Sequence, residues 1–320
     1  IVYRLPTPDL TGYNNQSVCS STQINQLSNP GTVTLNGRDY TWAFFTDENA
    51  TTPFVGTDIA QTGTYVIRFK LVESGQTYFS DTYSTLNVTV LPSGSWTGAA
   101  GTTLVNGVQA YDLNDANNWC GGIVPQTPTI PENTTVYLDG SYDFTNLTVE
   151  CGGSLIITET GRVNITNVLT NGGLVHVING GTIHYGSTVS GTCTGTYEIT
   201  ETFSPSRYWY VGPTTTNTVR ADFGTIASTQ NPTGTQMWSW NELANNTANN
   251  YTAPVYNNGN LIPGNGYVYR NLGGTNLEVN VTGPYITSAI SRTGLTRTGT
   301  GTLAGYHLLS NPYTAYLDLT

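Results

Sequence analysis

The stretch from Val149 to Tyr185 repeats itself. Val149, Gly153, Leu155, Ile157, Gly161, Val163 and Ile165 are followed 20 residues later by Leu169, Gly173, Val175, Val177, Gly181, Ile183 and Tyr185. All seven positions keep their character, five apolar and two Gly. A fixed period of this length, built of short alternating runs with Gly at the corners, predicts stacked rungs of a parallel β-helix. Each rung sets three short strands around a triangular core. A single rung leaves its apolar interior open, so neighbours must cover it. Val136/Leu138 before the repeat and Val189/Tyr197 after it supply partial caps, and the module is expected over residues 93–202.

The flanks read as β-structure of another kind. Residues 1–5 and 88–91 both alternate and then meet a Leu-Pro step, Leu5-Pro6 and Leu91-Pro92. Proline cannot continue a ladder, so each step marks a last strand followed by a linker. Residues 1–7 are then the tail of a preceding module, and the array has further members. Residues 8–92 contain strand candidates at 32–35, 40–45, 63–71 and 85–90, separated by turn pairs such as Asn36-Gly37 and Ser74-Gly75. Within them Trp42 and Phe44 share one face, as do Tyr65, Ile67 and Phe69. This spacing predicts an immunoglobulin-like sandwich. Residues 203–320, rich in aromatic strands such as Tyr208-Trp209-Tyr210-Val211, predict an antiparallel β-sandwich cut off at its C-terminal end. The fold class is therefore all-β: immunoglobulin-like sandwich, short parallel β-helix and antiparallel sandwich in tandem.

Charge narrows the function. Charged residues make up only 9% of the chain and the net charge is −10, so no basic patch can neutralise a phosphate backbone and nucleic acid is not a partner. The same charge disfavours anionic membrane, and no apolar run reaches the roughly 18 residues that span a bilayer. Ile1 is not an initiator Met and no signal peptide is visible, so the chain reads as a piece of a longer one. Cys19, Cys120, Cys151 and Cys193 form an even set without a C-x-x-C pair, which suits an oxidising, extracellular setting better than zinc. The bridge read from this is Cys120 with Cys151, at the two ends of one element, with buried free thiols as the alternative. Cys19 finds no second Cys near residues 78–80, where a sandwich would place one.

Residues with chemistry are few. His176 and His184 fall between apolar rung positions and point outward; a metal pair is the minor reading of them. Glu159 beside Arg162 reads as a surface ion pair rather than catalytic machinery. Nothing resembles a nucleophile with its base, and no catalytic residues are expected. Asp112, Asn114, Asp115 and Asn117 put oxygen-bearing side chains close together and offer a Ca²⁺ site, although the same residues close Asx-turns without metal. Tyr208, Trp209, Tyr210, Trp238 and Trp240 can stack on sugar rings, with Trp238, Trp240 and Trp209 the candidate glycan-stacking set; burial in a core is the commoner fate of such residues. Trp238 and Trp240 share a face.

Several motifs together resemble a family. Tyr40-Thr-Trp42-Ala-Phe-Phe-Thr-Asp47 and Gly63-Thr-Tyr65 are similar to the immunoglobulin-like repeats of the long surface proteins that Bacteroidota export through the type IX system. Asp115-Ala-Asn-Asn118-Trp119-Cys-Gly-Gly resembles the entry to their short β-helical modules. Arg207-Tyr-Trp-Tyr-Val211, Gly264-Asn-Gly-Tyr267 and Gly305-Tyr-His-Leu-Leu-Ser-Asn-Pro312-Tyr313 resemble the sandwich that often follows. The resemblance implies export, a place at the cell surface, and adhesive or appendage-building use. Its partners would be neighbouring modules, other copies of the chain, and cell-surface or glycan targets. A carbohydrate-binding module is the alternative, and a polysaccharide-acting β-helix enzyme the outside one.

Overall fold

The computed structural model describes residues 7–225, 234–240, 259–286, 288–293, 295, 297 and 305–314. The strand expected over residues 1–5 lies outside them. Among the described residues the chain is all-β, and its helical content is three short 3-10 turns. It divides into two compact units. Of the described residues, one takes in those up to Ala100 together with Asp115–Val124, and the other Gly101–Asn114 and those from Pro125 onward.

The first unit is organised on one sheet. Its strands are β1 (Asn15–Cys19), β2 (Val33–Leu35), β3 (Arg38–Phe45), β4 (Gly63–Glu73), β5 (Gln76–Phe79) and β6 (Ser84–Leu91). β4 is central, with β3 antiparallel along one edge and β5 then β6 along the other. β1 runs parallel to β6. Alternation sends Phe44, Tyr65 and Ile67 to one face, where Leu10, Ile24, Leu27 and Ala60 cover them. Trp42 stacks on Phe69 with ring centroids 4.7 Å apart. The cover differs from the second layer of a sandwich: among the described residues it is a 3-10 turn at Ile24–Gln26 and a single bridge between Gln23 and Ile59. Its Asx side chains take the backbone donors that a ladder would use. Asn29 accepts from the Gly31 N–H, Asp47 from Asn49 and Asp58 from Val55.

The second unit begins with the solenoid. Its strands are β7 (Thr103–Val105), β8 (Val108–Asp112), β9 (Thr129–Ile130), β10 (Thr135–Leu138), β11 (Ser141–Val149), β12 (Ser154–Ile157), β13 (Arg162–Asn171), β14 (Leu174–Ile178), β15 (Thr182–Ser190) and β16 (Thr196–Phe203). β10, β12, β14 and β16 stack in parallel as one wall. β11, β13 and β15 stack likewise, each bent where the register shifts, so each serves two walls. About four turns result. Like residues meet along the interior: Leu138, Ile157, Val177 and Ile199 form one row, and Phe144, Ile165 and Tyr185 another.

Six of the seven repeat pairs stack as the 20-residue period requires; one does not. Val149 is level with Asn171, and Leu169 is level with Leu147. β13 holds an extra residue at its bend, Thr166-Asn167, which displaces everything after it. Asn171 therefore points into the solenoid, where it is 1% exposed. Its amide answers for itself, donating to the Thr196 carbonyl and accepting from the Gly173 N–H. Val136, Leu138 and Tyr197 belong to full rungs rather than partial caps. Val189 is 49% exposed and caps nothing.

The boundary expected between residues 202 and 203 falls inside β16. That strand pairs with β14 on one edge and, antiparallel, with β20 (Leu277–Thr282) on the other, so the solenoid wall runs on into the next layer. A three-stranded sheet faces this extension. It consists of β17 (Tyr208–Val211), β19 (Tyr267–Asn271) in the middle and β18 (Thr235–Ser239). Phe203, Val279 and Val281 from one layer meet Met237, Tyr267 and Tyr269 from the other. Tyr285 closes the solenoid's C-terminal end. It is 4% exposed, packs at a tilt against Tyr197 with ring centroids 4.6 Å apart, and its one hydroxyl proton is shared between the carbonyls of Val175 and Glu198. Burial raises its phenol pKa well above the usual range.

The cysteines pair differently from the sequence reading. Cys19 is bonded to Cys120, and Cys151 to Cys193. The Cys120–Cys151 bridge fails because the residues around Cys120 return to the first unit. The Cys120 N–H donates to Ser95, the Gly94 N–H donates to Cys120, and Trp119 packs edge-on against Trp96. β6 runs into this segment, and Cys19 is level with Leu91 at its end. Cys151 and Cys193 follow β11 and β15 around the same corner of the solenoid, on either side of the rung that carries Gly172. The two bridges suit a non-reducing environment.

Two predictions follow from this packing. A Cβ on Gly173 would overlap the Gly153 carbonyl oxygen of the adjoining rung. Gly173→Ala is therefore expected to cost about 1–3 kcal/mol and lower Tm by roughly 2–10 °C. An unchanged melting curve would remove the close stacking of this corner. Peptide mapping without reductant should recover Cys19 linked to Cys120 and Cys151 linked to Cys193. Reduction of the second bridge, which closes a sequence separation of 42, should destabilise the unit by about 4 kcal/mol on the chain-entropy account.

Candidate functional site

β17, β18 and β19 decide where the aromatic residues go. Successive side chains alternate across a sheet, and the register aligns Trp209, Tyr269 and Met237 in one row, then Tyr210, Val268 and Trp238 in the next. Met237 and Tyr269 are fully buried, so the first row faces the core. Trp209 accordingly points inward. It packs edge-on against Phe203 at 5.5 Å, with the Arg207 guanidinium 5.3 Å from its ring centroid. This corrects its place in the glycan-stacking set: its ring is committed to the core of the second unit.

The outward residues are Tyr208, Tyr210, Gln236, Trp238, Val268 and Arg270. Tyr208 is 61% exposed and Tyr210 72% exposed. Trp238 is half-buried and meets Tyr208 with ring centroids 6.2 Å apart. Val268 is the buried residue between the two outer strands. The Arg270 guanidinium lies 5.0 Å from the Tyr208 ring centroid, and its Nη1 donates to the Tyr208 hydroxyl at a long 3.4 Å. Trp240, expected to share this face with Trp238, uses its indole N–H to donate to the Tyr306 carbonyl at 2.7 Å. The structure thus keeps Trp238 on the platform, sets Trp209 on the opposite face, and ties Trp240 to a neighbouring segment. It adds Arg270, which the sequence reading passed over. Arg270 occupies the alternate position of a strand whose Tyr267 and Tyr269 are buried, and that alternation was the signal.

Behind the sheet lies a cavity of ≈ 290 Å³ lined by Ile199, Phe203, Trp209, Phe223 and Val281 among others. One carboxyl, that of Glu201, lines it. Burial raises the Glu201 pKa, opposed by a hydrogen bond from the Gly180 backbone. Nearby, Arg220 is fully buried and donates to the Gly224 carbonyl and to both the carbonyl and hydroxyl of Thr235. It ties the start of β18 to the turn at Gly224.

The remaining candidates sit elsewhere. His176 and His184 face outward from the solenoid as the alternation requires. His176 contacts Thr200 at 2.6 Å, and Thr200 donates to Asn280. With the one hydroxyl proton spent there, His176 is the donor through Nε2. Burial lowers its pKa, opposed by Glu198 and Glu278. His184 contacts Asn164. Arg162 donates to the main-chain carbonyl of Glu159. In the proposed Ca²⁺ set, an Asp112 oxygen accepts from the Asn114 N–H, and an Asp115 oxygen from the backbone and side-chain amides of Asn117. These are Asx-turns. Among the described residues no three His, Cys, Asp or Glu side chains come together as metal ligands. Compared with known proteins, the chain matches no family model, no curated protein and no solved structure.

The cavity carries a pH prediction. A carboxyl whose folded pKa is raised binds its proton more tightly folded than unfolded, so stability falls as pH rises from its ordinary value, 4.5, through the raised one. Glu201→Gln should melt like the parent near pH 4 and above it at about pH 7. A gap in Tm that stays constant between those values would assign the proton-linked cost elsewhere.

Proposed function

We propose that this chain is an extracellular, non-catalytic segment of a long bacterial surface protein, serving attachment or the building of a surface appendage. The observation that carries this reading is the outward face of β17–β19–β18. Two tyrosines more than half exposed and a tryptophan sit on a rigid three-stranded sheet backed by an aromatic core. Exposed rings on a fixed scaffold gather contact area at little entropic cost. The two disulfides support the extracellular placement. The motifs that resemble type IX-exported surface proteins support the bacterial one. Other copies of the chain and neighbouring modules are the proposed structural partners, with a filament as the assembled form.

The same face supports a carbohydrate-binding module as the second reading, since rings beside hydrogen-bonding groups suit sugars. Adhesion itself is tested with microspheres. Beads carrying the chain, and beads carrying Tyr210→Ala/Trp238→Ala, are flowed over bacterial cell envelopes and over polysaccharide films. Retention several-fold above albumin-coated beads, reduced by the double substitution, is the expected result. Equal detachment of all beads would end the adhesive reading. Electron microscopy of native surface material separates filament from isolated chain.

A further inference from the structure

We propose that the β17–β19–β18 face is a binding site for an acidic polysaccharide, with Arg270 holding a uronate carboxylate while sugar rings stack on Tyr208, Tyr210 and Trp238. This rests on the adhesive reading and gives it a ligand class.

Charge is the first argument. The chain carries a formal net charge of −10 with only ten basic residues. The outward residues of these three strands nevertheless include a cation and no carboxylate. An anionic ligand that the rest of this surface would repel is accepted here. The state of Arg270 is the second argument. A guanidinium has five N–H donors in a planar fork. Among the described residues, the partner of Arg270 is Tyr208, through its ring, with the guanidinium carbon 5.0 Å from the centroid, and one 3.4 Å hydrogen bond. Its Nε is buried without a hydrogen-bond partner. The contact with Tyr208 anchors the guanidinium and takes one Nη1 hydrogen, leaving the Nη2 N–H groups and the second Nη1 hydrogen for a carboxylate, which a guanidinium can hold through two parallel bonds.

The rings supply the rest. Tyr208 and Tyr210 are two positions apart on one strand, roughly 7 Å. Trp238 stands across the sheet in the same row as Tyr210 and touches Tyr208. The exposed faces form a continuous apolar strip beside one positive charge, and Gln236, level with Arg270, adds an amide. The apolar faces of pyranose rings fit such a strip, and the amide offers both a donor and an acceptor to hydroxyls. One guanidinium suits one carboxylate per sugar better than the dense charge of a sulfated polymer.

Binding of the whole chain to polygalacturonate, to a neutral β-glucan and to a sulfated galactan, measured by calorimetry or affinity electrophoresis, tests this. Binding to the uronate polymer is expected, weakened by salt. Arg270→Gln and Tyr210→Ala should each reduce affinity at least about tenfold, and Tyr210→Ala, whose side chain is 72% exposed, should melt with the parent, so that its loss of binding is not a loss of fold. Neutral or sulfated polymer binding as tightly as the uronate would overturn the assignment, as would binding that survives both substitutions or no binding at all. Beads that adhere without uronate binding would leave adhesion standing and discard this ligand. Uronate binding by a chain whose beads do not adhere would do the reverse.

Discussion

Each rung of the solenoid lends its neighbour the apolar surface that neither can bury alone. A row such as Leu138, Ile157, Val177 and Ile199 is made of four residues far apart in sequence and one strand spacing apart in space. Burying such side chains is worth roughly 1.5–3 kcal/mol each, and the parallel ladder satisfies the backbone at the same time. The cost is exact register at the corners. Gly153 and Gly173 stack so closely that any side chain on Gly173 would overlap the rung beside it. The interior must also end somewhere, and Tyr285 meets that need with its ring and hydroxyl together.

Everything on the C-terminal side depends on that stack. β16 is at once the last full strand of one solenoid wall and an inner strand of the layer that β20 completes. The second layer can therefore pack on a surface that is already rigid. Trp209, Tyr269 and Met237 anchor the three-stranded sheet from within. Their alternates, Tyr208, Tyr210, Trp238 and Arg270, are held out toward solvent by the same pleat. A strand dense in aromatics thus divides into a core half and an exposed half, and the exposed half is where contact with another molecule is available.

The 20-residue period, the strand positions in residues 8–92 and the all-β character were legible because each depends on local alternation and turn chemistry. Trp238 on an outward face was within reach of the same logic. The period was misleading at Val149, since an extra residue at a bend leaves no mark on hydrophobic pattern until the ladder is seen. The sandwich over residues 8–92 was read too regularly. Strand spacing implied a regular second layer, whereas the Asx side chains of the covering segments take up the backbone instead.

By itself the sequence determined the rungs, their polarity and the aromatic strands, because side-chain periodicity is fixed by covalent geometry and needs no partner. Tertiary structure alone decided which cysteines meet, because Asp115–Val124 returns to the first unit and its pairing with Ser95 carries Cys120 to Cys19. It also decided which rings are free. Trp209 and Tyr210 are adjacent and chemically alike in sequence, and only the presence of Phe203 on one side of the sheet makes one of them core and the other surface.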